Sequence, residues 1–146
     1  RLAVPVINDE STYKFEIGKG VELRSGKDIT IIATGLPVSE SLEAAKFLAE
    51  DGIDAQVINI HTIKPLDEEL VVKAAQATGR VFTVEEHSII GGLGSAVMEC
   101  LAEKNPVKVT RIGVRDTFGE SGPAKDLLHK YELDAEGIYK QIKAAL

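Results

Sequence analysis

The chain has 146 residues and carries 17 Lys and Arg against 23 Asp and Glu, a formal net charge of −6. This length predicts one domain with its own hydrophobic core, and the negative charge argues against binding to nucleic acid or to an anionic membrane surface. No apolar run approaches the ~20 residues of a membrane span, so we expect a soluble, cytoplasmic protein. The single cysteine, Cys100, cannot form a disulfide within the chain, and its apolar neighbours predict a packing role in a helix.

The first half of the chain predicts a tether, two strands and a helix. Residues 1–12 lack sustained periodicity and are expected to link a preceding domain to a folded domain over 13–146. Residues 18–23 place two glycines among bulky residues, which favours a short edge strand because glycine weakens a central strand. Residues 29–33 (ITIIA) are typical of a strand covered on both faces, and apolar residues at helical spacing predict a helix over 38–50.

The second half continues the alternation of strands and helices. Residues 55–60 predict a strand, followed by a helix that Asp67 caps and Gly79 ends. The remaining predicted elements are a buried strand over 80–86, a helix over 93–104, a strand over 107–114, a helix over 123–130 and a last helix, capped by Asp134, that ends near residue 146. This order predicts an α/β domain with a largely parallel sheet and right-handed crossovers.

The segment VFTVEEHSIIGGLGSA, residues 81–96, has the residue types of a binding or catalytic site. A strand, a glycine-rich turn and a helix are the arrangement that holds an anion at a helix N-terminus. The segment is not a Walker A motif, since no Lys-Ser/Thr pair follows the glycines, and Val97 stands where the last glycine of a dinucleotide fingerprint would be. Three interpretations stay open: a tight strand-to-helix turn, an anion or nucleotide pocket, or a contact surface. The candidate residues for a pocket or a domain interface are Glu86, His87, Gly91, Gly92, Gly94 and Ser95.

Titratable residues precede this turn. Glu85, Glu86 and His87 stand at the carboxyl end of a predicted strand, where α/β sheets bind ligands. Because adjacent strand residues face opposite sides, at most one glutamate shares a side with His87, and no nucleophile lies nearby in sequence. His61 ends the preceding strand and is expected near the same rim, whereas His129 is expected to be a solvated or packing residue. No Cys/His or His/carboxylate spacing resembles a metal site.

Residues 115–122, RDTFGESG, form a predicted loop with an aromatic residue between charged residues and glycines. Loops on a rigid scaffold often carry contacts to partners, which favours a functional surface. The alternative is a structured surface loop held by a pair between Arg115 and Asp116, which would add little stability if exposed.

These motifs together resemble the C-terminal domain of transketolase, most closely that of the shorter transketolases that occur as two subunits. The matching residues are Gly35 after the buried strand, VINIHTIKPLD over 57–67, VEEH over 84–87, IGGLGSA over 90–96 and FGESG over 118–122. More distant relatives with a similar domain are deoxyxylulose-phosphate synthase and the β-subunits of 2-oxo-acid dehydrogenases.

The resemblance implies a three-layer α/β/α fold with a five-stranded, mostly parallel sheet and one antiparallel edge strand, for which residues 18–23 are the candidate. It implies a part in two-carbon ketol transfer between sugar phosphates, which needs thiamine diphosphate and a divalent metal (Mg or Ca). Those cofactors bind to separate diphosphate-binding and pyrimidine-binding domains, so we expect this chain to bind no cofactor or metal and to carry no catalytic residue. Its expected roles are packing against those domains and contacts in a homodimer. The alternatives are a regulatory anion- or nucleotide-binding module and the equivalent domain of either distant relative.

Overall fold

The computed structural model describes residues 5–9 and 11–146. Within them the chain forms the strands β1 (Val21–Arg24), β2 (Ile29–Ala33), β3 (Ala55–Asn59), β4 (Arg80–Ser88) and β5 (Lys108–Val114), and the helices α1 (Pro37–Glu50), α2 (Glu68–Thr78), α3 (Leu93–Lys104), α4 (Ala124–Lys130) and α5 (Ala135–Ala145). The predicted tether over 1–12 lies partly outside these residues. Among the helices described, none combines the length and the apolar composition needed to cross a membrane.

The five strands form one sheet in the order β1-β3-β2-β4-β5. Strands β2, β3, β4 and β5 pair in parallel, whereas β1 pairs antiparallel with β3 at one edge. This confirms the predicted five-stranded, mostly parallel sheet with one antiparallel edge strand. The four parallel strands all end on the same side of the sheet, which we call the carboxyl edge.

The antiparallel edge strand begins at Val21, later than the predicted residue 18. Gly18 has a φ of 82°, in the left-handed region that few other residues tolerate. A Cβ atom on Gly20 would lie 2.6 Å from Cδ1 of Ile60 and 2.7 Å from Cδ2 of Leu70. The two glycines therefore bend the chain into the sheet rather than contributing to the strand.

Two hydrophobic layers cover the sheet, one on each face, and complete the expected three-layer α/β/α arrangement. On one face, Ile31 and Phe82 pack with helices α1 and α5 through residues such as Leu48 and Ile142. On the other face, strand residues that alternate with these pack against α2 and α3. The second layer includes Ile32, Ile58, Val81, Val71, Val97 and Leu101. Each fully buried aliphatic side chain stabilises the fold by about 1.5–3 kcal/mol.

The predicted helix caps are confirmed. The Leu70 amide donates to Oδ1 of Asp67 at 3.2 Å, and the Gly137 amide donates to Oδ1 of Asp134 at 2.9 Å. Gly79 ends α2 with a left-handed φ of 67°. Apart from the start of β1, the boundaries differ from prediction by at most two residues, and β4 continues two residues further, to Ser88. That extension places His87 and Ser88 within the strand.

Candidate functional site

The glycine-rich turn connects β4 to α3 at the carboxyl edge of the sheet. Gly91 has a left-handed φ of 74°, and Gly92 is the residue immediately before the helix. The end of β4, the turn and the start of α3 therefore have the geometry of a helix N-terminus that binds an anion.

The anion at this helix N-terminus is part of the chain itself. The Glu85 side chain is 1% exposed, and its Oε2 accepts the Leu93 amide at 2.8 Å while its Oε1 accepts the Gly94 amide at 2.9 Å. A carboxylate in this position satisfies two amides that have no partner inside the helix and interacts favourably with the helix dipole. A Cβ atom on Gly92 would lie only 1.9 Å from Oε2 of Glu85, so this glycine makes room for the carboxylate.

The rest of the turn is also bonded internally. The Gly91 amide donates to the Ser95 hydroxyl at 2.9 Å, and that hydroxyl donates to the Ile89 carbonyl at 3.4 Å. The Ile90 amide donates to the Ser88 hydroxyl at 3.1 Å. The amides that an external phosphate would need at positions 91, 93 and 94 already have partners within the chain.

Residues of β5 contact the turn and the end of β4 from the side. Arg111 donates from Nη1 to the Ile89 carbonyl at 2.7 Å, and a Cβ on Gly94 would lie 2.7 Å from Cδ of Arg111. A Cβ on Gly113 would approach the His87 carbonyl oxygen to 2.9 Å. The close approach of β5 to β4 at position 113, and of α3 to β5 at position 94, therefore depends on glycine.

Glu86 and His87 lie differently from Glu85. Glu86 faces the opposite side of the sheet, where it is half-buried and lines a cavity with Leu36 and Val114. His87 is exposed. The β4–β5 register shifts between Val84 and Ser88, so strict alternation does not hold through this part of β4.

The RDTFGESG loop lines the same cavity. Gly119 and Glu120 line it together with apolar residues of α4 and the chain after it, and its volume is about 260 Å³. Glu120 accepts hydrogen bonds from Nζ of Lys130 at 2.6 Å and from the Tyr131 hydroxyl at 3.2 Å, and the Lys130 bond lowers the pKa of Glu120. Arg115 donates to the Arg111 carbonyl at 3.4 Å. The loop is held by Glu120 with Lys130 and Tyr131, and not by the Arg115–Asp116 pair of the alternative interpretation.

Three motifs that are distant in sequence therefore meet around one cavity. They are the turn after β2, the end of β4 and the RDTFGESG loop after β5. A Cβ on Gly35 would lie 3.9 Å from Oε1 of Glu86, which places the Gly35 turn directly beside the β4 motif.

This arrangement agrees with the comparison with known families. Residues 18–138 match the family model "Transketolase, C-terminal domain". The chain belongs to the transketolase C-terminal domain family. The match includes every motif that gathers at the carboxyl edge, from the Gly35 turn to the loop after β5.

The family includes enzymes with different reactions. The chain is 51% identical over 132 residues to the 6-deoxy-6-sulfo-D-fructose transketolase subunit SqwH of Clostridium sp. strain MSTE9, covering 90% of this chain and 41% of that subunit. It is 44% identical over 140 residues to 1-deoxy-D-xylulose-5-phosphate synthase 1 of Geobacter sulfurreducens, covering 94% of this chain and 22% of that enzyme. The chain thus spans less than half the length of either relative.

A solved structure of the same kind confirms the fold. It is described as a split gene transketolase, inactive beta4 tetramer, and it superposes with a TM-score of 0.91 at 48% identity. The alignment covers 98% of this chain and 46% of that one. A transketolase structure from Pichia stipitis matches more distantly, with a TM-score of 0.66 at 23% identity over 87% of this chain and 18% of that one, and supports the fold alone.

The cavity at the carboxyl edge of this transketolase C-terminal domain does not fit thiamine diphosphate. A diphosphate needs cations, free amides or a bound metal, whereas the cavity is mainly apolar and has the carboxylates of Glu86 and Glu120 at its wall. Within the described residues, no three His, Cys, Asp or Glu side chains are grouped to hold a metal ion.

The other candidate side chains, His61, His129 and Cys100, contact residues of their own chain. The His61 ring contacts the Phe15 ring in a tilted arrangement with centroids 4.8 Å apart, and its Nδ1 lies 2.8 Å from the Thr62 hydroxyl. Strand β2 separates β3, which His61 follows, from β4. His129 bonds to Asp134 at 2.6 Å and is exposed. Cys100 is buried in the layer under α3, and burial raises the pKa of its thiol, which agrees with the expected packing role.

Sequence reasoning missed the roles of Glu85 and Arg111. The signal for Glu85 was an acidic residue at the end of a buried strand followed by a glycine at position 92, where a side chain would displace the carboxylate. The bond from Arg111 to Ile89 depends on the pairing of β5 with β4, which no local pattern reveals.

Proposed function

We propose that this chain is the C-terminal domain of a thiamine-diphosphate-dependent transketolase, and that it contributes domain packing and subunit contacts but no catalytic residue. The complete enzyme transfers a two-carbon ketol unit between sugar phosphates. Thiamine diphosphate and its divalent metal (Mg or Ca) are bound by the diphosphate-binding and pyrimidine-binding domains, against which this domain packs. The folded domain begins near Tyr13, after a linker over 1–12.

The observation that carries this proposal is the Glu85 carboxylate at the N-terminus of α3. It occupies the amides of Leu93 and Gly94, so the glycine turn serves the internal architecture of the domain. The exposed residues at the carboxyl edge, His87 and Ile90, are then available for contact with a neighbouring domain.

We also propose that the chain associates with itself. The similar split-gene structure is described as an inactive tetramer of its β subunit, and that description supports both self-association and the lack of activity of this part alone. In the assembled enzyme the same tendency would contribute to the dimer.

A second candidate is the equivalent domain of a 1-deoxy-D-xylulose-5-phosphate synthase. The 44% identity to such an enzyme supports it, since that identity is close to the 51% shared with the transketolase subunit. Both candidates assign the same role to this domain, and they differ in the reaction of the complete protein.

Calorimetric titration with thiamine diphosphate and Mg²⁺, combined with a ketol-transfer assay, tests the proposal on the purified chain. We expect neither binding nor turnover. Turnover by the chain alone would overturn the proposal. A thermal-shift series with nucleotides and sugar phosphates tests the regulatory module, because a ligand at 100 times its Kd stabilises a protein by about 2.7 kcal/mol. We expect no such stabilisation, and a clear shift with one ligand class would favour that module instead.

A further inference from the structure

The chain contacts the hydrophobic core well before β1 begins. Ile7 packs against the layer that α1 and α5 form on one face of the sheet, and it lines a groove with Val21 and Leu23 of β1. Its neighbour Val6 is 83% exposed, so the contact belongs to one side chain and not to the whole stretch. Burial of an apolar side chain against a packed layer opposes the conformational freedom of the residues that carry it. Ile7 therefore anchors the chain ahead of the first strand.

A hydrogen-bonded turn follows this anchor. The Asp9 carboxylate accepts the Ser11 amide at 2.9 Å and the Ser11 hydroxyl at 2.6 Å, and these bonds lower the pKa of Asp9. The Asp9 carbonyl accepts the amides of Thr12 at 3.1 Å and Tyr13 at 2.7 Å. Aspartate favours such turns because its side chain bonds to the backbone two residues on. The turn gives the chain a defined change of direction between Ile7 and Tyr13.

A buried carboxylate holds the chain a second time, immediately before β1. Asp67 is 8% exposed, and its Oδ1 caps α2 by accepting the Leu70 amide at 3.2 Å. Its other oxygen, Oδ2, accepts the Gly20 amide at 3.0 Å, and Nζ of Lys19 lies 4.0 Å from Oδ1. One carboxylate thus connects the N-terminus of α2 to the residue that precedes the first strand. The sequence predicted only the cap.

The residues between these two anchors lie against the loop that joins β3 to α2. The Phe15 ring contacts the His61 ring with centroids 4.8 Å apart. A Cβ atom on Gly18 would lie 3.1 Å from Cγ of Pro65, so the backbone approaches this loop closely. The segment before β1 is therefore in contact with the domain along its length and not only at its ends.

We propose that residues 7–9 and 11–20 form a rigid arm, anchored by Ile7 and Asp67, that fixes the place and direction in which the preceding chain enters this domain. The preceding chain is then positioned by side-chain contacts and does not pivot about a flexible tether, which limits the orientations that a neighbouring domain can take. The inference goes beyond the proposed function, because it extends the folded domain from Tyr13 back to Ile7 and does not depend on the reaction of the complete enzyme.

Backbone NMR relaxation on the 146-residue chain tests the first anchor. We expect order parameters of about 0.85 at residues 7–9 and 11–13, the value of a rigid backbone. Ile7→Ser removes the apolar contact and is expected to lower the order parameters of residues 7–9 below about 0.6. Val6→Ser is the matched control, since it makes a similar change at an exposed neighbour, and it is expected to leave them unchanged.

Amide hydrogen exchange tests the second anchor. Asp67→Ala removes both acceptor oxygens, so we expect the Gly20 amide to exchange at least about tenfold faster than in the wild type. Asp67→Asn keeps one acceptor oxygen, and because asparagine is a favoured cap, we expect the Leu70 amide to stay protected while the Gly20 amide exchanges faster. Asp134→Asn makes the same substitution at the cap of α5 and is expected to leave Gly20 exchange unchanged.

Order parameters below about 0.6 at residues 7–9 of the wild-type chain overturn the rigid arm, and so does an Ile7→Ser variant that stays as ordered as Val6→Ser. Unchanged exchange of the Gly20 amide in Asp67→Ala overturns the second anchor. These outcomes leave the ketol-transfer assignment standing, because that assignment is tested by activity of the assembled enzyme and not by the mobility of this segment.

Discussion

The carboxylate of Glu85 accepts the backbone amide of Leu93 at 2.8 Å, and this bond connects the end of β4 to the first turn of α3. The second oxygen of the same carboxylate accepts the Gly94 amide at 2.9 Å. A strand residue thus supplies the negative charge that a substrate phosphate supplies in nucleotide-binding α/β proteins. The motif has the shape of an anion site because it binds an anion of its own.

Glu85→Ala is expected to destabilise the domain by about 2–4 kcal/mol, because it leaves two buried amides without acceptors. Chemical denaturation monitored by circular dichroism measures the free energy of unfolding. Glu99→Ala removes an exposed carboxylate from the same helix and is expected to change that free energy by no more than about 0.5 kcal/mol. Equal effects of the two substitutions would contradict the capping role of Glu85.

Gly92→Ala and Gly91→Ala form a pair of neighbouring substitutions with different physical causes. A Cβ at position 92 collides with the Glu85 carboxylate at 1.9 Å, so we expect a loss of at least about 2 kcal/mol. A Cβ at position 91 meets no atom within 4 Å but must adopt a φ of 74°, so we expect about 1 kcal/mol. Thermal unfolding ranks the two, and a larger loss for Gly91→Ala would show that backbone conformation outweighs the carboxylate contact.

His129 gives the domain a pH-dependent contribution to stability. The hydrogen bond and charge of Asp134 raise the pKa of His129 above its usual value in the folded state. The contribution is therefore fully present below the unfolded pKa of about 6.5 and is lost as the pH rises through the folded pKa. We expect the stability difference between the wild type and His129→Gln to be constant at pH values well below about 6.5 and to shrink as the pH rises above that value.

Asp134→Asn is the matched variant for this pair. Asparagine keeps an oxygen that accepts the Gly137 amide, so the cap of α5 is retained while the charge opposite His129 is removed. An NMR titration of the His129 ring should then give a pKa lower than in the wild type. An unchanged ring pKa would contradict the pairing.

His87→Ala is expected to affect assembly more than stability. The side chain is exposed, so the free energy of unfolding should change by no more than about 0.5 kcal/mol. If the carboxyl edge meets the cofactor-binding domains, its affinity for a matching thiamine-binding subunit should fall about fivefold or more. Surface plasmon resonance with one immobilised subunit measures this affinity. The control is Lys73→Ala, a substitution of an exposed residue of α2. Equal affinities of the two variants would show that His87 does not lie at the contact with the cofactor-binding domains.

Most of the fold could be predicted from the sequence, because local residue patterns mark where the helices and strands begin and end. The run ITIIA predicted β2 with its observed bounds, and Asp67, Gly79 and Asp134 marked helix ends that the structure confirms. These signals act over a few residues, so they can be read without knowledge of the tertiary structure. The start of β1 was less predictable, since close contacts of Gly20 with Ile60 and Leu70 decide where pairing begins.

The site was harder to predict, since its chemistry depends on which strands are neighbours. Strand alternation separated Glu85 from Glu86, but it did not reveal that Glu85 turns inward to α3. The cavity needs β2, β4 and β5 side by side, so its walls come from three distant motifs. Phe118 stood out only as an aromatic residue in a polar loop, and its full exposure is a property of the folded surface.

The central claim is that this domain supports ketol transfer without supplying cofactor or substrate residues. A chimera tests it most directly: residues 13–146 replace the corresponding C-terminal part of the 51% identical 6-deoxy-6-sulfo-D-fructose transketolase subunit, which is then combined with its natural partner subunit. We predict that the assembled chimera keeps that enzyme's affinity for thiamine diphosphate and its choice of donor sugar. An assembled chimera that loses cofactor binding, or that changes its donor, would contradict the account.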